Sequence, residues 1–183
     1  MGGLSVERLA WRRRGGVRRP AVLPGGNAGE RGHREATGGG RGALRTARET
    51  AIVVRRGEQY LMLHRAMDDY WHVVAGVVEE GETFAGAAAR ELSEETGLDS
   101  AVIDLRAPQT YRVPLEMRSE YLAGVDEVAV ENFTVVVDPG WEPVLNEEHD
   151  HYRWLTIADA IAIAHWPETR EILAAIARSR PGS

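Results

Sequence analysis

No stretch constrains this chain more than Gly76–Leu98, GVVEEGETFAGAAARELSEETGL. Thr83 suits a helix N-cap and Gly97 is the residue type that ends a helix in the left-handed conformation, so the spacing predicts a helix from about Thr83 to Thr96. At ~100° per residue, Glu91, Glu94 and Glu95 share one sector about 100° wide, because they stand at i, i+3 and i+4. Phe84, Ala88 and Leu92 form an adjoining apolar strip suited to a sheet. The helix therefore carries a packing face and an acidic face side by side.

The acidic face is costly on its own. Like charges at this spacing repel by about a few tenths of a kcal/mol per exposed pair, and more when partly buried. The C-terminal end of a helix also favours cations over carboxylates. A positive partner is expected. Carboxylate oxygens at this spacing suit Mg²⁺, or Mn²⁺, which keep several waters and share substrate phosphates. The simpler alternative is a solvated face with Arg90 as the neutralising partner.

The order of residues narrows the choice. Gly76, Glu82, Arg90, Glu91, Leu92, Glu94, Glu95, Gly97 and Leu98 supply every term of Gly-x5-Glu-x7-Arg-Glu-(apolar)-x-Glu-Glu-x-Gly-(apolar). In this the stretch resembles the Nudix box. Nine specified positions over twenty-three residues are far more specific than a lone glycine loop. The resemblance implies an α/β (α+β) fold, a Nudix-type α/β/α sandwich with a mixed central sheet and the motif as loop-helix-loop. It also implies a Mg²⁺-dependent pyrophosphohydrolase acting on a nucleoside diphosphate linked to a further group.

The rest of the chain divides by charge. Residues 1–47 hold 10 Arg against 3 Glu, a net of +7, whereas residues 48–183 carry a net of −13. The first segment also holds 12 of the 20 glycines and shows no sustained periodicity, so it reads as a disordered Gly/Arg-rich tail before a domain spanning 48–183. With no cysteine, disulfides and thiol nucleophiles are excluded. No run of 18 apolar residues and no signal-peptide pattern occurs, so a cytoplasmic protein without membrane association is expected. The acidic domain would repel nucleic acid, which leaves small molecules as partners and a monomer or homodimer as the working unit.

Within the domain, Thr50–Arg55 and Gln59–His64 read as strands around an Arg56-Gly57-Glu58 turn, and Trp71–Gly76 reads as a third strand delivering the chain to the motif. Val102–Leu105, Asn132–Asp138 and His151–Leu155 are further strands. A polar loop or short helix is expected within Glu116–Asp126. Thr156 opens a helix to about Ala164 with the form of a capping box, and Pro167 opens the last. Strands in the middle with helices early and late suggest a sheet between helices.

Outside the motif, Arg65 precedes the loop leading to it and is either a phosphate holder or a surface arginine. His64 and His72 read as packing or surface residues. Tyr70, Trp71, Tyr121 and Phe133 read first as core or edge aromatics and second as a ring-stacking surface. The acidic group Asn146-Glu147-Glu148-His149-Asp150 lies just before a strand, where a loop carboxylate can reach the motif helix.

From about Tyr60 onward the chain is similar to the dihydroneopterin triphosphate (dATP) pyrophosphohydrolase branch, through Leu61-Met62-Leu63, Asp69-Tyr70-Trp71, Val78–Thr83, Glu131-Asn132-Phe133, Glu148-His149 and Tyr152-Arg153-Trp154. That similarity implies a metal-site role for Glu148 beside Glu91, Glu94 and Glu95. It implies a nucleotide or pterin triphosphate as substrate, split into a monophosphate and pyrophosphate. Gly76 could add its carbonyl, Glu94 or Glu148 could accept the proton of the attacking water, and Arg90 with Glu82 would join helix to loop by an ion pair. The segment around Glu148 also resembles diadenosine tetraphosphate hydrolases. Oxidised nucleotides, ADP-ribose and a non-catalytic nucleotide-binding role stay open as alternatives.

Overall fold

A computed structural model describes residues 44–179. β1 (Arg48–Arg56) and β2 (Gln59–Arg65) form a hairpin closed by Gly57, whose φ of 51° is the left-handed turn that Arg56-Gly57-Glu58 predicts. β3 (Tyr70–His72) returns against β2, and β4 (Val74–Val77) pairs with β1. The motif helix α1 (Phe84–Thr96) follows, then β5 (Ile103–Asp104), β6 (Gln109–Arg112), a short 3-10 helix (Leu115–Glu120) and β7 (Glu127–Val136). β8 (His149–Leu155) pairs with β2, and α2 (Ile157–Ile163) and α3 (Pro167–Ser179) end the fold.

These eight strands form one mixed sheet. β1 and β7 run parallel at its centre, from Arg48 opposite Ala129 to Arg55 opposite Val136, and the other pairings are antiparallel. Alternation along β1 sends Ile52 and Val54 to one face and Val53 to the other. Ile52, Val54, Leu61, Leu63, Val74, Phe133 and Val135 pack with Ala88 and Leu92 of α1. Val53, Tyr60, Met62 and Val73 pack with Ala160, Ala164, Ile172 and Leu173 of the two later helices. The result is the expected helix–sheet–helix sandwich, with α1 alone on one face.

Three sequence expectations change. The stretch Trp71–Gly76 is two strands, not one: the chain breaks at Val73 and switches partner from β2 to β1. The strand expected from Asn132 begins at Glu127, and β6, which the sequence leaves within a mixed segment, pairs with its first half. Arg45 to Ala47, placed by charge in the tail, take part in the fold. Arg45 exchanges backbone hydrogen bonds with Glu120 and Leu122, and Ala47 accepts from Ala129. The remainder of the expected tail, residues 1–43, lies outside the described residues.

Candidate active site

Both ends of α1 are capped as its residues suggest. Thr83 Oγ1 accepts the Gly86 N–H at 3.0 Å, and Gly97, at φ 71°, returns its N–H to the Ser93 carbonyl. Ala87, Ala88 and Leu92 bury the packing face. That orientation fixes the acidic face against the edge of β4, and the three glutamates fall in different environments. The Glu94 side chain is half exposed, Glu91 is buried, and Glu95 is only 2% exposed.

Gly76 explains how Glu91 fits. A Cβ at position 76 would lie 1.9 Å from Glu91 Oε1 and 2.0 Å from its Cδ, so the carboxylate occupies the space that a side chain on β4 would fill. The glycine is required here by close approach rather than by an unusual backbone angle.

Arg90 organises the surrounding charges. Its Nε and Nη2 hold the two oxygens of Glu82 at 2.9 and 3.1 Å, a bidentate fork, and Nη2 also donates to the Val77 carbonyl at 2.9 Å. Nη1 reaches Glu91 Oε1 at 2.8 Å and Glu94 Oε2 at 3.3 Å. One guanidinium thus joins the motif loop, β4 and two of the three helix carboxylates. These bonds, led by that to Glu82, raise the Arg90 pKa further, and the same fork lowers that of Glu82.

Glu95 is the least compensated group. Burial pushes its pKa well above the usual carboxylate range, with the charges of Glu91 and Glu148 adding to the shift. Its Oε2 has no hydrogen-bond partner among the described residues. A buried carboxylate oxygen left without a donor, beside two further carboxylates, is the arrangement that a cation relieves. The donor set is all oxygen, which fits a hard divalent ion such as Mg²⁺ and not a thiophilic one.

Glu148 reaches this region from the loop before β8. Its carbonyl accepts the Ala66 N–H at 3.0 Å, its N–H donates to Asn146 Oδ1 at 3.2 Å, and its carboxylate accepts from Arg65 Nη1 at 2.9 Å. Arg65 is therefore no surface arginine. It is 3% exposed, with Nε on Asp68 at 2.8 Å, and these bonds direct its guanidinium to carboxylates. His72, which the sequence assigns to packing or surface, also lies close by. His72 is buried, with its pKa well below the ordinary value through desolvation, and it meets His149, which burial lowers to about 4. Tyr70, Tyr121 and Phe133 are core residues. Trp71 is half-buried between His64 and the Arg153 guanidinium. On the exposed edge, Asp150 Oδ1 joins His64 Nδ1 at 2.6 Å and His151 Nδ1 at 3.0 Å, a group that the sequence does not single out.

The class that this fold and motif define is the pyrophosphohydrolases. A family model for the NUDIX domain matches residues 45–176. The dihydroneopterin triphosphate diphosphatase of Escherichia coli (strain K12) is 33% identical over 118 residues, which cover 61% of this chain and 78% of that protein. Among solved structures, the E. coli dihydroneopterin triphosphate pyrophosphohydrolase superimposes with a TM-score of 0.69 at 26% identity, over 76% of this chain and 100% of that one. A C. elegans Ap4A hydrolase binary complex gives a TM-score of 0.57 at 22% identity, over 72% of this chain and 95% of that one, a likeness of fold. The chain belongs to the NUDIX family, and within it is similar to the dihydroneopterin triphosphate pyrophosphohydrolase branch.

Proposed function

We propose that this enzyme hydrolyses a nucleoside triphosphate or a pterin triphosphate, with Mg²⁺ as cofactor, to the monophosphate and pyrophosphate. The observation that carries the reading is Glu95: a buried carboxylate with an oxygen unpartnered among the described residues, subject to the charges of Glu91 and Glu148, inside a complete Nudix motif. Likeness to the E. coli diphosphatase supports the substrate class.

In this reading Glu91, Glu94, Glu95 and Glu148 hold the metal. When bound, Mg²⁺ supplies neutralising charge to the phosphate chain and to the attacking water. The protein's own contribution is placement. Gly76 leaves room for Glu91, Arg90 fixes the motif loop and two carboxylates, and Arg65 directs Glu148. Glu94, half exposed and held by one 3.3 Å bond, and Glu148, on a separate loop, are the two carboxylates suited to accept the water proton.

The reading is tested by product analysis with Mg²⁺ over dNTPs, 8-oxo-dGTP, dihydroneopterin triphosphate, Ap4A and ADP-ribose. Pyrophosphate release from a triphosphate is the expected result, with Glu95→Gln lowering kcat by orders of magnitude while the protein stays folded. Near-normal turnover by Glu95→Gln would discard the assignment. Release of two monophosphates from ADP-ribose, or cleavage of Ap4A alone, would replace the substrate class.

A further inference from the structure

The loop bearing Glu148 is fixed by a hydrogen-bond chain whose direction can be read atom by atom. Asn146 Oδ1 lies 3.2 Å from the Glu148 N–H and 2.9 Å from His149 Nδ1. An amide oxygen only accepts, and the Glu148 N–H identifies that atom as the oxygen. His149 Nδ1 must therefore carry a hydrogen. In a neutral imidazole this leaves Nε2 with a bare lone pair.

That lone pair faces His72 Nε2 at 2.9 Å. The two ring planes are inclined by only 28° with centroids 5.0 Å apart, so the rings meet edge to edge rather than face to face. An in-plane lone pair meets an in-plane N–H, the favourable geometry for a strong bond. Only one proton fits in the gap, and it belongs to His72. Both rings are almost wholly buried, at 1% and 4% exposure, so water cannot substitute for either partner. His72 closes β3 and His149 opens β8, and both strands pair with β2. The bond therefore ties together the two strands that flank the strand carrying Arg65.

We propose that His72, through His149 and Asn146, is a positioning residue for Glu148, and that it acts by donating an Nε2–H bond in a fixed direction. The proposal rests on the reading of Glu148 as a site carboxylate. Without that N–H, the buried His149 Nε2 loses its donor, the ring turns, and Asn146 Oδ1 loses one of the two bonds that hold the Glu148 turn.

Three measurements on the full chain test this. Histidine ¹⁵N spectra at pH 7.5 should show His72 as the Nε2–H tautomer and His149 as the Nδ1–H tautomer. Any other pair of tautomers overturns the proposal, and this readout needs no variant to fold. His72→Leu, which has no donor, should lower kcat with dATP by roughly 10- to 100-fold, the range for disturbed ligand orientation, with KM for the nucleotide changing less. His72→Gln, which offers an amide N–H, should recover most of that loss. Equal impairment of His72→Leu and His72→Gln, or wild-type turnover by His72→Leu, would refute the role. Glu148→Gln separates the underlying reading: full activity there removes Glu148 from the site while leaving the tautomer result standing.

Discussion

At the scale of single residues, the site depends on what is left out as much as on what is present. Gly76→Ala adds one methyl group where the Glu91 carboxylate lies, at 1.9 Å from Oε1 and 2.6 Å from Cγ. Since Glu91 is also bonded to Arg90, the side chain cannot move away without breaking that contact. Gly76→Ala is expected to lower kcat by about 10- to 100-fold at fixed Mg²⁺ with an unchanged circular dichroism spectrum. Glu94 and Glu148, the two carboxylates proposed as proton acceptors, are separable by pH. Whichever carboxylate is the base must be ionised to act, so kcat falls as pH drops through its titration. The variant, Glu94→Gln or Glu148→Gln, that both lowers kcat and removes this acid limb identifies the base. A variant that lowers kcat and keeps the limb has lost another function.

At the scale of elements, α1 carries its side-chain cap at one end and its acidic cluster at the other. Thr83 caps the N-terminus, a full helix length from Glu94 and Glu95. Thr83→Ala should therefore cost about 1 kcal/mol of stability, seen as a lower denaturant midpoint, with kcat at 20 °C nearly unchanged. A loss of activity without loss of stability would mean that the cap serves the site directly. This element was fully legible in the sequence, because caps, apolar strip and acidic sector are all local patterns with helical spacing. The sheet was less so. Trp71–Gly76 is apolar but for His72, and no local pattern announces that the chain leaves β2 at His72 and joins β1 at Val74. The partners of Glu148 were also hidden. Arg65 reaches it, and His72 reaches its neighbour His149, from separate segments, and a lone arginine or histidine carries no periodic signal of what it will touch. Only the burial of Arg65 on two carboxylates distinguishes it from a surface residue.

At the scale of the whole molecule, the metal-free fold is under opposed electrostatic strains, and its stability should record them. Glu95 has a folded-state pKa above the ordinary 4.5, so the folded chain keeps a proton that the unfolded chain releases. Its contribution therefore weakens the metal-free fold as pH rises above that value. His72 and His149 shift the other way: both are lowered from 6.5, so the unfolded chain binds protons that the folded chain refuses, and stability is lost as pH falls from 6.5 toward 4. Melting curves without divalent ions should accordingly fall as pH drops below 6.5. Glu95→Gln, which removes the buried charge but keeps the shape, should melt higher than the wild type at pH 8. Mg²⁺ at millimolar concentration should raise the wild-type melting temperature at pH 8 and leave Glu95→Gln nearly unmoved, because a ligand stabilises only the state that binds it. If Glu95→Gln instead melts lower than the wild type at pH 8 without metal, the Glu95 carboxylate is stabilised by the protein alone, and the cation-relief argument for this site fails.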